Sequence, residues 1–333
     1  MSFDVDILEN DIREQYPEVL ETLLRDHTTQ KNIFWATNNY HDLGEGYEYA
    51  SPILPELITG DNGNVIMPRV KKTKDLQQSR VRDMAEVFTP SWICNAQNNL
   101  IDNVWFGREN VLNTEITNPD GSHTWQVNPE KITYPEGKTW KHYVRDTRLE
   151  IACGEAPYIT SRYDTTTGEF IPIENRIGLL DRKLRVVSEN VNISGEWLKA
   201  AQDAYKNTYA FEWQGDSLLL AREAMLYTFI ENFENKFNRK PKLDSIQYIA
   251  YIISWNVWQM DGLKGVVPNS CGKKKDVQLQ LFGEQESKPC EGCQKDMILN
   301  HNGIYCLVKD WSNIDMETSK KGRKIRFIDL MKK

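Results

Sequence analysis

Two short apolar segments, each carrying an acid, constrain this chain more than any other feature: Arg148-Leu149-Glu150-Ile151-Ala152-Cys153-Gly154 and Thr208–Trp213. The first runs into a Gly turn. The second leads to Asp216 and a helical stretch, Ser217–Phe237. A strand, a turn at its carboxyl end, a helix and a second strand ending in an acid form the grammar of an open α/β sheet. In such a sheet a ligand sits beyond the carboxyl ends of the strands, and a small-residue turn lets the backbone approach it. Glu150, Cys153 and Gly154 therefore become candidates for a nucleoside site. Glu212, at the end of the second strand, is placed to accept both ribose hydroxyls.

A third acid, Asp261, precedes Gly262 after the apolar run Ile249–Ile253. It stands either at another strand end, where its carboxylate could accept from an exocyclic amine, or beyond one helix, Lys242–Trp258, closed by a Gly cap at Gly262. Periodicity does not separate these. Elsewhere, Ile7, Leu8, Ile12, Tyr16, Val19, Leu20, Leu23 and Leu24 recur at helical spacing over about Val5–Leu24, with Pro17 as a kink. Residues 35–66 read as irregular. Trp92, Ile93, Ala96, Leu100, Ile101 and Val104 suggest a helix packed on its apolar face, and the turn signals in 114–142 suggest a hairpin-like insertion.

The net charge of −7 hides an uneven distribution. Residues 1–66 hold thirteen acids against three bases, whereas basic runs occur at Arg69–Arg82, at Lys264 with Lys273–Lys275, and in the tail from Thr318. Clustered Lys and Arg are what phosphate contacts need. Lys71, Lys72, Lys74, Lys273, Lys274 and Lys275 are accordingly the expected phosphate contacts of a nucleic-acid partner. No apolar run approaches the ~18 residues of a membrane span, and the acidic first thirty residues lack a secretory pattern, so a cytoplasmic location is expected.

Four of the six cysteines fall between Cys271 and Cys306. Cys290-Glu291-Gly292-Cys293 is the C-x-x-C knuckle of a tetrahedral zinc site. The spacing predicts zinc on Cys290, Cys293 and Cys306, with Cys271 or His301 as the fourth ligand. Such a site would order a stretch with little apolar content of its own.

Taken in order, these elements resemble the S-adenosylmethionine-dependent DNA methyltransferases that modify the exocyclic amine of adenine, especially the modification subunits of bacterial restriction systems. Glu86-Val87-Phe88-Thr89-Pro90 is similar to their Phe-Thr-Pro segment. LEIACGEAPY resembles their Leu-Asp-Pro-Ala-Cys-Gly-Ser-Gly-Ala-Phe, with Glu150, Ile151, Glu155 and Ala156 as departures, and Tyr209–Arg222 looks like their Tyr-Gly-(Asp/Glu) strand end and Leu-Ala-Arg helix. The resemblance covers roughly residues 86–265. It implies a doubly wound, Rossmann-like methyltransferase sheet at 86–265, containing the insertion 114–142. An N-terminal helical and irregular region, 1–85, precedes it, and a small basic Cys-containing module, 266–333, follows.

The resemblance further implies an S-adenosylmethionine pocket built from Phe88, Thr89, Pro90, Glu150, Cys153, Gly154, Glu155 and Glu212, with DNA and specificity or restriction subunits as partners. The family's Asn/Asp-Pro-Pro-Tyr/Phe catalytic loop has no counterpart, because the sequence contains no Pro-Pro pair. The nearest stretch in the expected order is Ile298–Tyr305. Asp261 and Tyr305 are then the candidates to hold and stack the target base, with Trp258 as another aromatic. The competing expectation is a DNA-binding or interaction protein that keeps the fold and has lost the loop.

Overall fold

The computed structural model describes residues 5–74, 77–78, 81, 89–272, 289–314 and 321–330. Phe88, Lys273, Lys274 and Lys275 lie outside the described residues. The opening helical stretch is two helices, α1 (Glu9–Gln15) and α2 (Val19–Leu24), separated where Glu18 takes a φ of 64°. Pro17 has no N–H to continue a ladder, so the chain breaks instead of kinking. A two-residue ladder, β1 (Arg25–Asp26) with β2 (Lys31–Asn32), and the short helix α3 (Pro55–Ile58) follow.

Helix α4 (Ser91–Phe106) turns the expected face around. Leu100, Ile101 and Val104 are exposed, and the buried side carries Cys94, Asn95, Asn98, Asn99, Asp102 and Phe106. The cause is Arg182, 1% exposed, whose guanidinium donates to Asp102 Oδ2 at 2.5 Å, Asn95 Oδ1 at 2.8 Å and Asn99 Oδ1 at 2.9 Å. A buried cation must be paired, and the Asn/Asp face of α4 does this. The insertion is an antiparallel hairpin, β3 (Asn113–Thr117) with β4 (His123–Val127), followed by helix α5 (Trp140–Val144).

The central element is a parallel sheet of three strands, β5 (Arg148–Ile151), β6 (Thr208–Glu212) and β7 (Val257–Gln259), in the order β5-β6-β7. Helices α6 (Leu179–Asn190) and α7 (Ser194–Lys206) connect the first pair; α8 (Gly215–Phe237) and α9 (Leu243–Asn256) connect the second. Asp261 therefore stands just beyond a strand, and the alternative of one helix through Trp258 is excluded, since α9 ends at Asn256. The period of two divides the sheet between two cores. Ala210 and Val257 join the large helical core, whereas Phe211 and Trp258 join a smaller one with Met260, Cys306 and Val308. The short helix α10 (Glu291–Lys295), the antiparallel hairpin β8 (Leu307–Ile314) with β9 (Lys321–Arg326), and the terminal turn α11 (Phe327–Leu330) complete the chain. The fold is mixed α/β with small sheets; among the described residues β5 pairs with β6 alone, leaving Leu149 and Ile151 43% and 67% exposed.

Burial of acids between α1 and α8 sets a pH dependence. Glu9 is 1% exposed with its Oε1 unpartnered, and both carboxylate oxygens of Glu223 are buried without a partner. Burial, offset in part by its own backbone amide and reinforced by Asp6, pushes Glu9 up from 4.5 to about 8, and Glu223 is raised as well. The folded state thus keeps a proton that the unfolded chain releases, so stability should fall as pH rises from about 4.5 to about 8. Urea unfolding midpoints across that range measure this. Glu9→Gln should flatten the decline, and an unchanged slope would refute the assignment.

Candidate functional site

The in-register strands bring the carboxyl-end acids to one edge. Glu212 lies 8% exposed at the end of β6, its Oε2 accepting the Gly154 N–H at 2.8 Å and its Oε1 those of Trp213 at 2.8 Å and Gln214 at 3.2 Å. Burial raises its pKa against these three donors. Glu150 accepts the Tyr158 N–H at 3.4 Å through Oε1, while its Oε2 is buried with no partner. Burial drives its pKa well up, with the Glu212 charge adding to the effect. The turn after β5 is unusual in its backbone: Ala152, Gly154 and Ala156 have φ of 48°, 54° and 59°. Strain of this kind concentrates at sites where the surroundings over-determine the backbone. A Cβ at Gly154 would meet nothing within 4 Å, so open space faces this turn.

Other expected residues are distributed less simply. The buried Cys153 donates its N–H to Phe211 O at 3.0 Å, and burial raises its thiol well above its usual range. Glu155 is committed to the protein, since its Oε1 accepts the Arg69 N–H at 2.7 Å and its Oε2 the Tyr163 hydroxyl at 2.8 Å. Thr89 and Pro90 lead into α4; the Thr89 carbonyl accepts the Thr165 hydroxyl at 3.2 Å, and that of Pro90 accepts the Ile93 N–H at 3.0 Å.

Asp261 is 4% exposed, with Oδ1 accepting the Leu263 N–H at 3.1 Å and Oδ2 3.1 Å from the Lys264 ammonium. Trp258 is buried against Phe211 and Phe327 and offers no open face for a base. The Tyr305 hydroxyl accepts the His301 N–H at 2.8 Å and donates to Ile298 O at 3.0 Å. Of the basic residues, Lys74 is exposed and Lys71 lies 4.0 Å from Asp6. Lys72 is not a phosphate contact: its side chain is 2% exposed, 3.9 Å from Asp216, because the buried carboxylate draws it inward.

The sequence reading missed Tyr49, Gln259 and Asn269. The Gln259 amide accepts the Phe34 N–H at 3.0 Å and donates to the carbonyls of Phe34 and Trp213, both at 2.8 Å. The only available signal was the density of aromatic and amide residues in a stretch without periodicity.

The second centre is formed by Cys271, Cys290, Cys293 and His301, whose ligand atoms all lie within 4.8 Å of one another. His301 Nδ1 is 3.7 Å from Cys271 Sγ, 3.5 Å from Cys290 Sγ and 3.6 Å from Cys293 Sγ. One ring nitrogen cannot hydrogen-bond three sulfurs at once. Zinc bonds of ~2.3 Å to sulfur and ~2.05 Å to nitrogen at the tetrahedral angle separate the two ligands by ~3.6 Å, so the group has the dimensions of a Cys3His site.

Two glycines allow this approach. A Cβ at Gly292 would stand 2.7 Å from His301 Nδ1, and one at Gly303 would stand 3.0 Å from Cys271 Sγ. The Asn302 N–H donates to Cys290 Sγ at 3.3 Å. Burial pulls the Cys290 thiol up, but the Asn302 and Cys293 amides and His301 outweigh it and lower the thiol to about 6; Cys271 is raised to about 12 by burial and its two neighbours. Cys306 stands apart. It is fully buried in the smaller core, with its thiol directed to Gln259 O at 3.4 Å, because alternation at the start of β8 turns it inward. Both Cys271 and His301 take part, so the expected choice between them does not arise.

No protein-family model, curated protein or solved structure matches this chain. Among the described residues no helix is long and apolar enough to cross a membrane.

Proposed function

We propose that this chain is an S-adenosylmethionine-binding, methyltransferase-like protein directed at DNA, with the exocyclic amine of adenine as acceptor and zinc in the Cys3His centre. The observation that carries the reading is the convergence of Glu150, Gly154, Glu212 and Asp261 at one edge of three sequential parallel strands. That order corresponds to one half of a doubly wound sheet. The residues fit a nucleoside: Glu150 Oε2 lacks a partner, the Gly154 turn faces open space, and the Glu212 carboxylate has its orientation fixed by three backbone donors. Bound S-adenosylmethionine supplies an electrophilic methyl group. The chain's own contribution is to hold ribose hydroxyls at Glu212 and to keep the Gly154 backbone close. The basic runs support DNA as the partner, with Lys74 and Lys264 among the described cations, and subunits for specificity or restriction are the companions such a protein would take.

For methyl transfer, Asp261 has to receive the target amine, and here both its oxygens are engaged by Leu263 and Lys264. This observation favours a second reading, a binding protein that keeps the cofactor edge without catalysis. Incorporation of labelled methyl from S-adenosylmethionine into mixed-sequence DNA, with Asp261→Ala as control, separates the two. Cofactor binding without incorporation would leave the second reading standing.

Glu212→Ala should weaken S-adenosylmethionine at least about tenfold in titration calorimetry, since hydrogen bonds to a charged group contribute ~1.5–3 kcal/mol. Glu212→Gln, with one oxygen left to accept, should fall between the parent and the alanine variant. An unchanged dissociation constant for Glu212→Ala in protein with a native circular dichroism spectrum would remove Glu212 from the site.

A further inference from the structure

The metal centre and the strand edge are joined by a short chain of side-chain contacts. Asn269, two residues before the ligand Cys271, donates its amide Nδ2–H to the Tyr49 hydroxyl at 2.8 Å. The same oxygen accepts the Trp213 indole N–H at 3.1 Å. Trp213 directly follows Glu212 and gives its backbone N–H to Glu212 Oε1 at 2.8 Å. Between Asp261 and Cys271 the segment is anchored at its base by the buried Val266 and Val267, whereas Asn269 is exposed and has a φ of 54°. Beyond Asn269, the Ser270 N–H returns to Val267 O at 3.1 Å, and two contacts tie the segment to the metal module: the Ile304 N–H donates to Ser270 Oγ at 3.0 Å and the Gly272 N–H to Asn302 Oδ1 at 3.0 Å.

We infer that the Cys3His centre is a positioning device for the strand edge: a metal ion bound there fixes Cys271, and through Asn269 and Tyr49 holds the Trp213 indole and, with it, the backbone N–H that Glu212 accepts. Tyr49 and Asn269 are positioning residues, acting through Trp213. The left-handed backbone at Asn269 is part of the arrangement, since it aims the amide back at Tyr49 while Cys271 turns toward the knuckle; Asn tolerates this conformation better than most residues. The consequence for cofactor affinity rests on the proposed nucleoside reading. The mechanical coupling does not.

The test uses the full chain, zinc-loaded and chelator-stripped, with the metal ion alone as the probe. Hydrogen exchange read by mass spectrometry should slow on zinc addition both in peptides of the module and in peptides covering residues 47–51 and 212–215. In the zinc-loaded protein, Asn269→Gly, which keeps the backbone freedom and removes the amide, should retain its zinc and show the faster exchange of the stripped parent at 212–215. Tyr49→Phe should make exchange at 212–215 independent of zinc. Protection confined to residues 261–306, or zinc-dependent exchange at 212–215 persisting in Tyr49→Phe, would overturn the coupling. In a second arm, stripping zinc should weaken S-adenosylmethionine several-fold in the parent and have no effect in Tyr49→Phe. Absence of any cofactor binding with the exchange coupling intact would refute the nucleoside reading alone.

Discussion

Replacing Arg222 by alanine is expected to destabilise the protein by about 3–5 kcal/mol, because several buried carbonyls lose their donor at a cost of roughly 1–3 kcal/mol each. Arg222, on α8, is fully buried, and its guanidinium serves only carbonyl oxygens among its described hydrogen bonds. Nε and Nη2 donate to Val257 O at 2.9 and 2.6 Å, Nη2 also to Ser254 O at 3.3 Å, and Nη1 to Arg25 O at 3.1 Å and to Leu23 O. These carbonyls lie at the carboxyl ends of α2 and α9, where the last turn of a helix has no N–H of its own to bond and the helix dipole is negative. One planar cation therefore closes two helix ends and holds the first residue of β7.

Burial lowers the Arg222 pKa to about 10, with Asp26 opposing the shift, so the cation persists at neutral pH. Alanine would leave several carbonyls without donors in a place water does not reach. Lysine should rescue little, since a point ammonium cannot span the same set of acceptors. Urea unfolding followed by fluorescence reports the loss, and a change below about 1 kcal/mol would show that solvent or neighbouring donors take over the role. Loss of register at β7 would also displace Asp261, so cofactor and DNA measurements on this variant have to be read against its stability.

What could be read from the amino-acid order was local chemistry. Strands β5 and β6 were legible because each carries a β-rich apolar run, an acid and a turn within a few residues. Strand β7 was ambiguous because Leu243–Gln259 is apolar without a turn signal. Its boundary is set from elsewhere: Asn256 donates to the carbonyls of Tyr205 at 2.9 Å and Thr208 at 3.2 Å and accepts the Trp311 indole N–H at 2.8 Å. The inverted face of α4 had the same origin, a tertiary partner eighty residues or more away in Arg182. The irregular stretch 35–66 carried no motif, yet it contributes Tyr49 to the strand edge, through contacts that span more than 160 residues of chain. Spacing found the metal knuckle but could not choose its partners, since C-x-x-C fixes two ligands and leaves the direction of every later cysteine to the fold.

Cysteine substitution gives the second large expected effect and separates the two ligand sets. Cys271→Ser, Cys290→Ser and Cys293→Ser should each weaken zinc by more than about 100-fold, because structural zinc sites bind with an apparent ~10–16 kcal/mol, and losing one ligand of four removes on the order of 3 kcal/mol. Cys306→Ser should leave one equivalent of zinc in place. Serine there keeps a group to donate to Gln259 O, so any effect should appear in the stability of the smaller core, where Cys306 packs with Phe211, Trp258 and Val308. Metal competition against a chromophoric chelator gives the affinities, and elemental analysis of untagged protein gives the stoichiometry. Loss of zinc in Cys306→Ser, or full affinity in Cys271→Ser, would reverse the assignment. Zinc binding also has to displace thiol protons, so affinity should rise with pH through the range in which the cluster ionises. The parent and Cys306→Ser should rise together, and Cys271→Ser with a shallower slope, since burial and its neighbours hold the Cys271 thiol protonated and its removal leaves one proton fewer to release.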